Sequence, residues 1–174
     1  MLKISPKAQI SPLTDIEDSV LGSTITIEDG VTIDSFVKIK AAGGRGDVWI
    51  GKNCSINSGV VIYIGNGVQI GDNVAIGANS TIAPTNHEYH DSNTLIRDQR
   101  FMETRGGVII EEDVWIAANV VLLDGAHLRR GCVVGAGSLV REELPAYSVN
   151  VGSPTRIIGY RTTEDGTPQM ATGT

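Results

Sequence analysis

Aliphatic residues recur every six positions over most of the chain. They occupy Leu21, Ile27, Ile33 and Ile39, then Ile64, Ile70, Ile76 and Ile82, then Ile110, Ile116, Leu122, Leu128, Val134 and Val140. Gly, Ala, Glu or Asp usually follows directly, and a small or β-branched residue comes four positions on, as in IGDNVA, IGANST, IEEDVW and IAANVV. A fixed short period marks a repeat architecture, in which each unit buries its apolar face only by stacking on neighbours. A period of six predicts an all-β chain wound as a parallel β-helix. Three hexapeptides close one triangular coil of about 18 residues, and coils stack at roughly 4.8 Å through parallel hydrogen bonds. The aliphatic residue points inward, and so does the small residue two before the next one, because side chains alternate along a strand.

Composition agrees with narrow coils. Aromatics make up only 5% of the 174 residues while Gly occurs 21 times, since the interior has room for Ile, Val and Ala and the corners need Gly, Asn and Asp. The net charge of −6, with no basic patch, argues against nucleic acid as a partner. The opening MLKISPKAQISP has no apolar leader region, and no apolar run approaches membrane-spanning length. The expectation is a cytoplasmic protein with no signal peptide and no membrane span. Cys54 and Cys132 each fill a small-residue slot of a hexapeptide and read as buried, reduced thiols.

The breaks in the period locate function. Ile10 and Ile16 are in phase, and the five-residue gap from Ile16 to Leu21 predicts one short corner. The segment AAGGRGD (Ala41–Asp47) reads as a small protruding loop, and an eight-residue step through Val60–Tyr63 shifts the frame from Ile56 to Ile64. Residues Ala83 to Gly107 have no hexapeptide register and form the one long excursion. Long irregular segments in compact domains are usually functional. Pro145 and Pro154 stop the coils, and Val149 to Tyr160 reads as a last packed segment. Residues 1–160 form a single domain on this reading, and the polar residues 161–174 form a disordered tail.

The run GGVIIEEDVWIAANVVLLDGAHLRRGCVVGAGSLV, followed by LPAYSVNVGSPTRII, resembles the hexapeptide-repeat acyltransferases. The likeness is to the maltose, galactoside and nodulation-type acetyltransferases and to polysaccharide O-acetyltransferases, and it spans roughly residues 48–160. Asn86-His87 opening the long loop, LIRDQ (Leu95–Gln99) within it and Gly152-Ser153-Pro154-Thr155-Arg156 after the coils carry it further. The resemblance implies a left-handed winding, against the usual crossover rule. It also implies acetyl-CoA as co-substrate, no metal, a small-molecule or glycan acceptor, and a homotrimer with active sites between subunits.

Acetyl transfer from a thioester to a hydroxyl needs a base, an oxyanion donor and a groove for coenzyme A. His is the side chain best suited to be a base near neutral pH, and the chain has His87, His90 and His127. His87 matches the family's catalytic position. His90 is the reserve, and His127 sits at a corner of a regular coil. Asn86 belongs to the same turn, and Asp91 or Glu88 could orient the base. Asn57 resembles the family Asn near the acceptor, and equally suits a corner in left-handed backbone. Ala118 resembles the position whose N–H meets the acetyl carbonyl, with Ala117 where relatives often carry Gly, and Ala136 resembles the one whose N–H meets the pantetheine arm. Trp115 takes an outward slot beside the thioester or serves as an interface aromatic. Arg141 and Arg156 suit the phosphates of coenzyme A, or are solvated charges.

Three rivals stand beside O-acetylation of a sugar or polysaccharide precursor. The first is N-acetylation of a nucleotide-linked amino sugar. The second is a non-catalytic β-helix scaffold. The third is a zinc enzyme like the β-helical carbonic anhydrases, for which three spread-out His are a poor ligand set.

Overall fold

The computed structural model describes residues 1–169. Short strands lie on the three flat faces of a prism, and each coil contributes one strand to each face. The first face has seven strands, from Leu2–Ile4 to Glu143–Leu144. The second has eight, from Gln9–Ile10 to Arg156–Tyr160, and the third has six, from Asp15–Ile16 to Leu139–Val140. Every pairing is parallel except the last, where Arg156–Tyr160 runs antiparallel to Ser148–Val151. This is the left-handed parallel β-helix that the period and the resemblance imply.

Register explains the period. On the first face Ile27, Ile50, Ile70, Ile110 and Leu128 stack directly, one per coil, and all are buried. Ile33, Ile56, Ile76, Ile116 and Val134 do the same on the second face, and Ile39, Ile62, Ile82, Leu122 and Val140 on the third. Each such side chain contributes roughly 1.5–3 kcal/mol by leaving water. Cys54 and Cys132 are buried within the same core, and burial pushes their thiols up to about 11 and about 12.

Three readings of the frame need correction. Leu21 is 52% exposed, because residues 17–24 form one long corner and the inward ladder restarts at Ile25 and Ile27. The eight-residue step lies between Ile62 and Ile70, where Ile64 is an additional buried corner residue. The AAGGRGD segment does not stand free: a Cβ on Gly44 would collide with the Gly65 carbonyl, so its backbone lies pressed on the next corner. The excursion spans 84–107, between strands Thr81–Ala83 and Val108–Ile110, and contains one helical turn, Ile96–Gln99. Beyond Tyr160, Thr162 bridges Pro168 and Arg161 pairs with Asp113 at 2.8 Å. Residues 170–174 of the expected tail lie outside the described residues.

Candidate active site

The loop leaves the third face through Pro84, Thr85 and Asn86 and is held at its neck. His87 and Phe101 form an antiparallel bridge, with the Glu88 N–H donating to Arg100 O (3.1 Å) and the Met102 N–H to Asn86 O (2.9 Å). The returning strand is pinned by Asp124, which is 2% exposed and accepts from the N–H groups of Arg105 and Gly107 at 2.8 Å each. This neck presents the His87 ring at the corner between the third and first faces. Its ring lies 4.8 Å from that of Phe101. On one side is a hollow of about 250 Å³ lined by Gly43, Tyr63, Ala83 and Phe101. On the other is a more polar cleft of about 460 Å³ lined by Asn86, Arg105, Asp124 and Arg141. No ring nitrogen of His87 is hydrogen-bonded among the described residues, so the imidazole is open to a substrate from both sides.

The other histidines are engaged. His90 Nδ1 lies 2.5 Å from Glu88 Oε1, and its ring stacks on Tyr89. The backbone N–H of His90, then its ring, then the N–H of Tyr89 hold the Glu88 carboxyl below the usual carboxylate range. His127 Nε2 lies 2.8 Å from Glu111 on the first face. Asp91 is used by the loop itself: it accepts from Asn93 N (2.9 Å) and Thr94 Oγ1 (2.7 Å), while its own peptide is bracketed by Gln99. Among the described residues neither Glu88 nor Asp91 hydrogen-bonds to His87.

A second constellation lies at the opposite edge of the third face. Asn57, Gly77, Ala117 and Gly135 stack at the corner between the second and third faces, joined by Asn57 N–H to Ile76 O (3.0 Å), Gly77 N–H to Ile116 O (2.7 Å) and Ala117 N–H to Val134 O (2.9 Å). Asn57 is not left-handed; that backbone belongs to Asn53, Asn73, Asn79 and Asn119. Ala118 and Ala136 follow at the same corner, and neither donates its N–H to any group among the described residues. Buried Ser80 locks the turn, donating to Ala117 O and accepting from Val120 N, both at 3.1 Å. Trp115, 55% exposed, stands beside this corner on the second face, and Arg156 pairs with Val151 above it.

The predicted residues thus fall into two groups. Asn86, His87 and Arg141 share one corner, while Asn57, Ala118 and Ala136 share another, with Trp115 and Arg156 alongside. Sequence reasoning missed Arg105 and Asp124, because their contacts close only when the loop returns. An Asp-Gly pair at a corner directly after LL was the available signal for Asp124.

Comparison with known proteins fits this architecture. Residues 107–142 match the family described as bacterial transferase hexapeptide (six repeats), and residues 67–86 match the hexapeptide repeat of succinyl-transferase. A provisionally named acetyltransferase of Mycobacterium tuberculosis is 31% identical over 92% of this chain, which spans only 50% of that protein's length. A lipopolysaccharide biosynthesis O-acetyl transferase of Escherichia coli, WbbJ, also provisionally named, is 32% identical over 79% of this chain and 69% of its own length. Among solved structures, a serine-to-alanine mutant of AntD, an N-acyltransferase from Bacillus cereus in complex with dTDP-4-amino-4,6-dideoxyglucose and coenzyme A, superposes with a TM-score of 0.78 at 25% identity, covering 94% of this chain and 86% of that one. Repeat, coil register and these likenesses agree: the chain belongs to the hexapeptide-repeat acyltransferase family.

Proposed function

We infer that this chain is an acetyl-CoA-dependent O-acetyltransferase acting on a hydroxyl of a sugar or polysaccharide precursor, with His87 as general base. The observation that carries the reading is the placement of its two half-sites. Among the described residues, an imidazole without a hydrogen bond stands at one edge of the third face, and amides without a partner stand at the other. On the coils between them the face is mostly apolar outward, with Val61, Thr81, Val121 and Leu139 stacked in register before the ladder turns to Lys38 and Asp15. Threefold packing through this face would set the His87 edge of one subunit against the Ala118 edge of the next, and cyclic symmetry closes such contacts. The exposed Leu95 and Ile96 at the loop tip would then reach a neighbour.

In that arrangement His87 takes the proton as the acceptor hydroxyl oxygen attacks the thioester carbonyl carbon. The Ala118 N–H receives the developing oxyanion. The new C–O bond forms, the C–S bond breaks, and the proton passes from His87 to the thiolate of coenzyme A. The Ala136 amide and the Arg156 side chain suit the pantetheine and phosphate portions of the co-substrate, and Arg141 reaches it from the facing subunit.

The O-acetyl reading draws support from the Escherichia coli relative. AntD supports a second reading, transfer to the amine of a nucleotide-linked amino sugar. Acetyl transfer to sugar alcohols against amino sugars, measured beside His87→Ala, separates them. Turnover of His87→Ala should fall by on the order of 10²–10⁴ with acetyl-CoA affinity, read by calorimetry, nearly unchanged. His90→Ala should be milder and His127→Ala close to silent. Full turnover in His87→Ala would remove the base from the mechanism.

A further inference from the structure

The first face carries an outward ladder that acyl transfer does not use. Trp49, Gln69, Ile109 and His127 occupy successive outward positions in register. Trp49 is 49% exposed on a sheet whose backbone is already paired on both sides. Two shallow troughs of about 450 and about 360 Å³ share Trp49, Gln69 and Ile109. One is walled by Glu111 and Glu112, the other by Asp47 and Gly106. Gly106 and Ile109 also line a hollow that includes Arg105. Arg105 in turn lines the cleft of His87. The surface is therefore continuous from the imidazole, over a rim kept low by Gly106 and Gly107, to the indole of Trp49.

We propose that this path is an acceptor track that holds a neutral glycan chain extending from the sugar presented to His87. The proposal rests on the sugar-acetylation reading and names its substrate class: a chain end, not a free monosaccharide. A flat exposed indole offers a surface for the C–H face of a sugar ring. The Gln69 amide and the Asp47 carboxylate are hydroxyl partners on this path, while Glu111, held by His127 and the Arg130 N–H, and Glu112, paired with Arg130, form its fixed acidic wall. Around Trp49 the wall charges are carboxylates, which repel nucleic acid and polyanionic glycans. A peptide strand gains nothing here, because the track lies on a sheet face and not on an edge.

The test uses the full chain with Trp49→Ala, Gln69→Ala and Trp49→Phe. Acceptors are single manno-, gluco- and galactosides and the matching unbranched neutral oligosaccharides. Wild-type KM should fall about tenfold on going from single sugars to oligosaccharides. Trp49→Ala should erase that gain while leaving kcat on single sugars unchanged, and Trp49→Phe should restore most of it. Affinity electrophoresis in gels containing neutral polysaccharide gives a readout independent of turnover, with Trp49→Ala migrating faster than wild type. Turnover with no dependence on chain length or on Trp49 overturns the track. Retardation that depends on Trp49 without acetyl transfer to any sugar overturns the acyl-transfer reading and leaves the track standing. Neither retardation nor turnover overturns both.

Discussion

At the scale of single residues, the proposed site calls on amides as much as on side chains. Gly77 lies directly under the Ala117–Ala118 peptide, where a Cβ would sit 2.6 Å from the Ala118 nitrogen, so the space beneath that amide is set by a missing side chain. Because the Ala118 N–H is not part of the coil's hydrogen bonding, Ala118→Pro should leave the melting temperature near wild type. It should cut kcat on the order of 10²–10³. Thermal melts beside acetyl-transfer rates check this, and unfolding without selective loss of turnover would contradict the assignment. The positions of His87, Asn86 and Ala118 at corners were legible in the sequence because each sits at a fixed offset from a period or a loop start, while their roles are proposed. Glu88 and Asp91 are candidates to orient His87 by their closeness in sequence, and neither hydrogen-bonds to it among the described residues. Proximity in sequence does not determine which donor a carboxylate meets inside a loop, and here the partners are His90, Asn93 and Thr94.

At the scale of elements, the long loop is a clamped device. Asp124 satisfies two backbone donors of the returning strand, and each would cost about 1–3 kcal/mol if left buried and unpaired. Asp124→Ala should therefore lower the melting temperature by several degrees, at about 2–4 °C per kcal/mol for a chain of this size. It should also make the 88–100 segment more sensitive to limited proteolysis and reduce turnover while keeping coenzyme affinity. Unchanged cleavage and turnover would show that the neck does not depend on this carboxylate. The regular coils from Ile110 to Val140 were readable to the residue, because three inward ladders repeat without interruption. In the first coil Ile10 and Ile16 are in phase in the sequence, and they stack on Ile33 and Ile39. The corner at 17–24 was not readable, because its length is one that no period encodes.

At the scale of the whole molecule, the proposed half-sites on opposite edges of one face predict how subunits assemble. Chains carrying His87→Ala and chains carrying Ala118→Pro should each be inactive. Refolded together, they should regain up to about a quarter of wild-type activity, since some interfaces pair an intact imidazole with an intact amide. Mixtures that stay inactive would place the complete site within one subunit. The end of the prism carries a separate consequence. A stack of parallel coils is open-ended, because each coil offers its full set of backbone donors and acceptors to a further one, which is the geometry of a growing fibre. Here the eight-stranded face finishes in Arg156–Tyr160, laid on Ser148–Val151 in the opposite direction, while buried Asn150 and Ser148 take the inward places of aliphatic side chains. The reversed strand covers the last parallel edge of that face and the polar pair fills its inward places, so on this face the repeat presents no parallel strand for another coil or another copy to extend.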